Sequence, residues 1–209
     1  MGNAVPKQFL ELEGKPILAH TIDAFLEAAT GIKLVLVLPK QQLSWAQMVL
    51  TTFSERIDLE LVAGGATRFE SVQAGLAAVP DEALVLVHDG VRALVSPDLI
   101  RHCIEAALLE GSAVPVVPVT DSIREVGEGS SKPLDRSKLR AVQTPQAFAA
   151  GALKEAFARP FEDHFTDEAT VWESAGKPLH LIAGERGNIK ITTPEDLVLA
   201  GALLREREA

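Results

Sequence analysis

Four short aliphatic runs, IKLVLVLP (residues 32–39), DLELVAGG (58–65), ALVLVHDG (83–90) and AVPVVPV (113–119), recur along the chain with helix-like segments of ten or more residues between them. Each run is apolar throughout instead of alternating with period two. A strand made from it must therefore be covered on both faces, as in a sheet sandwiched between helix layers. The intervening segments 20–29, 41–53, 68–79 and 97–110 read as helices, the last with Pro97 at its first position after a Ser96 cap. This pattern predicts an α/β fold, doubly wound, with a mostly parallel sheet and helices on both faces. Ligands of such sheets sit beyond the carboxyl ends of the strands, so chemistry is expected in the loops that follow them.

The alternation breaks at residues 120–143, TDSIREVGEGSSKPLDRSKLRAVQ, where polar residues dominate and GEGSSKP reads as a turn between two short extended stretches. A protruding hairpin arm is expected there. It has too little apolar surface to stand alone, so it is expected to pack on another subunit. Beyond it the pattern predicts helices over 145–157 and 167–174, strands in LHLIAG and NIKIT, and a terminal helix from Pro194. Residues 1–8, with Gly2, Asn3 and Pro6, read as a loop.

With 47% hydrophobic residues in 209, the chain can fill one domain spanning 1–209. It has no apolar run near the ~18 to 20 residues that span a bilayer, and its start does not read as a secretory signal, so no membrane partner and a cytoplasmic location are expected. A net charge of −9 argues against a nucleic-acid partner, which needs a basic surface. Positive charge for any phosphorylated ligand must then be local. Cys103, the single cysteine, reads as a small buried hydrophobe.

No P-loop, dinucleotide-binding, nucleophile-elbow or zinc-hydrolase motif is present, and the five histidines lack ligand spacing. What remains are short polar signals after strands. VHDGVR ends a strand with Asp89 and places Arg92 three residues on. A carboxylate there can hold Mg²⁺ and a neighbouring arginine can take phosphate, although a turn cap would use the same aspartate. AGGATRFESV lets backbone approach a ligand at a helix start, as a plain strand-to-helix turn also would. In FTDEATV, residues 166–168 fit an N-cap with first-turn acids. NIKITTPEDL supplies a Thr193 cap, which leaves Lys190 unexplained in an apolar stretch.

Taken together, PKQFLELEGKPILAHT, GGATRFESVQAGL, VLVHDGVR, DRSKLRAVQTPQAF, TDEATVWESAG and NIKITTPEDL follow the order and approximate spacing of the sugar-phosphate cytidylyltransferases. Over essentially its whole length the chain resembles the 2-C-methyl-D-erythritol 4-phosphate cytidylyltransferase family. The resemblance implies a Rossmann-like nucleotidyltransferase fold, a homodimer joined by the arms at 120–143, and CMP transfer from CTP to methylerythritol phosphate with Mg²⁺ as cofactor. By the same resemblance Lys7 and Lys190 meet phosphates and Asp89 holds the metal. Gly65 and Ser71 contact cytosine. Arg92, Thr144 and Thr166 bind the second substrate, and Ser122 and Arg136 reach it from the neighbour's arm. Two positions depart from the family pattern: Ala93 stands where proline is usual, and Ser122 where threonine is usual. The family also begins with a strand and a glycine-rich triphosphate loop, so about 20 further N-terminal residues are expected, of which a strand takes ~5 to 6. A ribitol 5-phosphate cytidylyltransferase shares several of these motifs, and a catalytically inactive nucleotide-binding relative is a third reading.

Overall fold

The fold was obtained as a computed structural model, which describes residues 5–53 and 57–208. Residues 1–4, part of the expected opening loop, lie outside the described residues. The strands are β1 (Glu11–Leu12), β2 (Lys15–Pro16), β3 (Leu34–Leu38), β4 (Leu59–Ala63), β5 (Leu84–Val87), β6 (Ser112–Pro118), β7 (Ile123–Gly127), β8 (Ser130–Leu134), β9 (Arg140–Val142), β10 (Gln146–Ala149) and β11 (Leu181–Ala183). The helices are α1 (Ile17–Ala28), α2 (Leu43–Leu50), α3 (Arg68–Leu76), α4 (Pro97–Glu110), α5 (Ala150–Phe157), α6 (Glu168–Ser174) and α7 (Pro194–Glu208).

Aliphatic side chains alternate between two helix layers. Leu84 and Leu86 of β5, Ala113 of β6 and Ala147 of β10 face a cluster with Phe25 of α1 and Ile100, Cys103 and Ala107 of α4. Their neighbours Val85, Val87, Val114 and Phe148 face the opposite way, against α3, α5 and α6. Because both faces are covered, the runs had no reason to alternate in polarity. Cys103 is fully buried, and burial pushes its thiol up to about 12, which suits an inert packing residue. Ser96 and Pro97 start α4 as expected: the Ser96 hydroxyl accepts the Leu99 amide at 3.0 Å, and Gly111 at φ 80° ends the helix.

The strand pairing is mixed. Among the described residues β3–β4 and β6–β11 are parallel, whereas β1–β2, β5–β10, β6–β10, β6–β9 and β7–β8 are antiparallel. A mostly parallel sheet is not what these ladders show. The main reason is β10. Its segment, expected as the start of a helix over 145–157, enters antiparallel between β5 and β6, and α5 begins only at Ala150. Alanine-rich QAFAAGALKEAF favours helix locally, but two flanking strands satisfy the backbone groups of Gln146–Ala149 and bury Phe148 completely. Phe148→Ala is therefore expected to cost about 3–5 kcal/mol in urea unfolding, the range for emptying a buried aromatic site. A loss below ~1 kcal/mol would place this residue outside the core.

The arm is a hairpin of β7 and β8 with Ile123 opposite Leu134 and Gly127 opposite Ser130, so SSKP belongs to the second strand and the turn centres on Glu128 and Gly129. β9 then returns the chain to the edge of β6. NIKIT, expected as a strand, is not one: Ile191 donates a backbone hydrogen bond to Val91 at 3.0 Å, but no ladder continues from it.

Candidate active site

Asp89 follows β5 at its carboxyl end. Three cations converge on its carboxylate: Lys190 Nζ at 3.1 Å, Arg92 Nε at 3.3 Å and Arg68 Nη2 at 3.7 Å. Burial alone would raise this carboxyl, but Lys190, Arg68 and Arg92 outweigh it and hold it below the usual carboxylate range. The local positive charge that an acidic protein needs for an anionic ligand is therefore gathered here, about a side chain only 14% exposed.

Each cation comes from a different segment of the chain. Arg68 opens α3 after a Thr67–Glu70 capping box. A side chain at Gly65 would bring its Cβ to 2.4 Å from Glu70 Cβ, so the close return of the helix start requires glycine there. Arg92 lies one turn past Asp89 and donates to the Asn188 carbonyl at 2.7 Å, which ties it to the loop carrying Lys190. Asn188 is fully buried, and its Nδ2 donates to the Thr144 carbonyl at 2.8 Å.

The TPQ segment bolts these loops together. The Asp89 amide donates to Thr144 Oγ1 at 3.1 Å, and Thr144 Oγ1 lies 3.1 Å from His88 Nδ1. His88 Nε2 faces the Arg92 carbonyl at 3.3 Å, so that nitrogen carries the hydrogen and Nδ1 accepts from the threonine hydroxyl. Gln143 donates to the Glu185 carbonyl at 2.7 Å. Gln146 donates to Asp167 at 3.0 Å and accepts the Ala169 amide at 2.9 Å, fixing the start of α6.

Burial lowers the His88 imidazole from its ordinary 6.5 to about 4. The fold accepts the neutral ring, so its contribution to stability is complete above 6.5 and is lost as pH falls from 6.5 towards about 4. The loss is about 3 kcal/mol at ~1.4 kcal/mol per pH unit. Urea unfolding at pH 7 and pH 4.5 is expected to show a steeper acid loss for the wild type than for His88→Gln, and parallel pH dependences would contradict it.

The structure thus brings together Asp89, Arg92, Lys190 and Thr144. Thr144 is only 4% exposed, with its hydroxyl engaged, which suits holding the Asp89 amide better than direct substrate contact. Ser71 lies one turn into α3, and its hydroxyl donates to the Thr67 carbonyl at 2.8 Å. Thr166 is exposed just before α6, and Lys7 is half-buried in a short turn at Lys7–Phe9. Ser122 and Arg136 are exposed on the arm, where Arg136 donates to the Thr120 carbonyl. None of Ser71, Thr166, Lys7, Ser122 and Arg136 joins the Asp89 cluster among the described contacts. Sequence reasoning missed Arg68, Glu168, His88 and Asn188 as members of the network. The arginine directly after GGAT was a usable signal for the first, and the third residue of TDE for the second.

The model for the family "IspD: 2-C-methyl-D-erythritol 4-phosphate cytidylyltransferase" matches residues 1–206. The enzyme of that name from Bacteroides thetaiotaomicron is 42% identical over 204 residues, covering 98% of this chain and 93% of the relative. The Porphyromonas gingivalis one is 45% identical over 205 residues, covering 98% and 91%. Among solved structures, 2-C-methyl-D-erythritol 4-phosphate cytidylyltransferase from Thermus thermophilus superposes with a TM-score of 0.80 at 36% identity, covering 96% of this chain and 94% of that one. Similarity of this extent over the whole chain, which carries the charged cluster at the end of β5, shows that the chain belongs to the 2-C-methyl-D-erythritol 4-phosphate cytidylyltransferase family.

Proposed function

We propose that this chain transfers CMP from CTP to 2-C-methyl-D-erythritol 4-phosphate, releasing pyrophosphate and forming 4-diphosphocytidyl-2-C-methyl-D-erythritol, and that it works in the cytoplasm as a homodimer. The observation that carries the reading is the set of three cations around Asp89, in a chain whose net charge is otherwise negative.

In the reaction a phosphate oxygen of the polyol attacks the CTP α-phosphorus and the bond to the β-phosphate oxygen breaks, so pyrophosphate leaves with the bonding pair. The nucleophile is already an anion, and no general base is required. Catalysis rests on bringing two anions together and on stabilising the charge of the transition state. Lys190, half-exposed and paired with Asp89, can turn to phosphate, and Lys7 meets the α-phosphate. Gly65 and Ser71 receive the base. Arg92 and Thr166 take the second substrate, with Thr144 acting through the Asp89 amide, and Ser122 and Arg136 complete the site from a neighbour's arm.

Among the described residues no group of three or more His, Cys, Asp or Glu could hold a metal ion. A lone hard carboxylate suits Mg²⁺, which takes one or two carboxylates and draws its other ligands from phosphate and water. Asp89 would hold it, and when bound it neutralises triphosphate charge. The dimer is supported by the arm, where Val126 is 79% exposed, and by β9 at its base, where Val142 is 43% exposed. In solution a mass twice the chain's 22.4 kDa is expected, and the monomer mass would contradict the dimer. No helix among the described residues is long and apolar enough to cross a membrane.

The test of the activity is pyrophosphate release with CTP and Mg²⁺, offering methylerythritol 4-phosphate and ribitol 5-phosphate in parallel. Turnover with the first is expected. Turnover with ribitol phosphate instead, or with neither, would overturn the reading.

A further inference from the structure

Glu168 stands outside the catalytic set yet is fully buried. A carboxylate in that position needs a fixed partner, and both of its oxygens accept from the Arg68 guanidinium, Oε2 from Nη2 at 2.9 Å. Burial raises the Glu168 carboxyl against the pull of Arg68. Its backbone is fixed as well: it is the first residue of α6, and Gln146 grips Asp167 and the Ala169 amide on either side of it.

The Arg68 Nη2 that serves Glu168 is also 3.7 Å from Asp89 Oδ1. One guanidinium therefore lies between two carboxylates and is bound at hydrogen-bond distance to only one. Lys190 and Arg92 differ, since among the described residues neither pairs with a second carboxylate. Anionic phosphates can draw Lys190 and Arg92 off Asp89. Lys190 and Arg92 stand within 3.3 Å of Asp89 whatever the charge on Glu168, so Arg68 is the one of the three whose distance from Asp89 is set by a second carboxylate.

We infer that Glu168 is a positioning residue that holds Arg68 back from Asp89, keeping the aspartate open to a divalent cation when the triphosphate binds. The inference rests on the proposed Mg²⁺ site at Asp89. Without the Glu168 charge, the guanidinium closes the 3.7 Å separation and becomes a resident rival of the metal. The nucleotide loop and the start of α6 are then coupled through a single ion pair, 100 residues apart in sequence.

The test uses CTP binding by isothermal titration, without Mg²⁺ and with Mg²⁺ in excess, on the full chain without the second substrate. The readout is the factor by which Mg²⁺ tightens CTP. For Glu168→Gln this factor is expected to fall about tenfold, the scale of one partly screened ion pair. In the double variant Arg68→Met/Glu168→Gln, which leaves neither a buried charge nor a rival, it is expected to return towards the wild-type value. A pair that served only packing would leave the double variant at least as impaired as the single one, and that result would overturn the inference. Asp89→Asn separates the two claims. If it leaves the factor unchanged, the metal reading fails and takes this inference with it; if it abolishes the factor while Glu168→Gln does not alter it, the inference alone fails.

Discussion

Asp89→Asn is expected to lower kcat by at least about a thousandfold, because in the proposed reaction it removes the carboxylate that would hold Mg²⁺ against the phosphates. The same change is expected to leave CTP binding without Mg²⁺ as tight as in the wild type, or several-fold tighter. Asp89 faces Lys190, Arg92 and Arg68, and replacing its charge with an amide leaves those cations free for the triphosphate. Weak turnover combined with preserved nucleotide affinity is thus the signature of the substitution. The amide can still accept from Arg92 and Lys190, so the loop geometry has no reason to collapse. Steady-state rates and titration of CTP into the variant check both halves. A variant that turns over within about tenfold of the wild type would remove Asp89 from the mechanism.

Lys190→Met is expected to reduce kcat/KM by roughly a hundredfold to a thousandfold, the usual effect of deleting one fixed donor to a developing charge. Its side chain is 44% exposed and pairs with Asp89, so thermal stability should change little. Lys190→Arg is expected to recover part of the rate, since it keeps the charge but not the compact ammonium. Loss of less than about fivefold for the methionine variant would show that Lys190 neutralises Asp89 in the free protein and does no more.

Much of this was legible in the sequence. The strands were marked by aliphatic runs buried on both faces, and α4 by its serine, proline and glycine. Asp89, Arg92 and Lys190 stood out as polar residues in apolar or strand-end settings, and the fold does bring them together. β10 was not legible, because QAFA has helical propensity and becomes a strand only through β5 and β6, which lie well before it in the chain. His88 was passed over because no spacing rule reveals a ring fixed between a threonine hydroxyl and a carbonyl. Glu168 looked like a first-turn acid of α6, and its bidentate pairing with Arg68 depends on two loops meeting in space.

The path of the phosphate oxygen atoms tests the transfer to methylerythritol phosphate. Methylerythritol 4-phosphate carrying ¹⁸O in its non-bridging phosphate oxygens is incubated with CTP, Mg²⁺ and the enzyme, and the products are read by ³¹P NMR. Attack by that phosphate on the α-phosphorus predicts two coupled diphosphate signals with ¹⁸O in the bridge, and pyrophosphate free of label. Label in the pyrophosphate, or no coupled diphosphate product, would contradict the account.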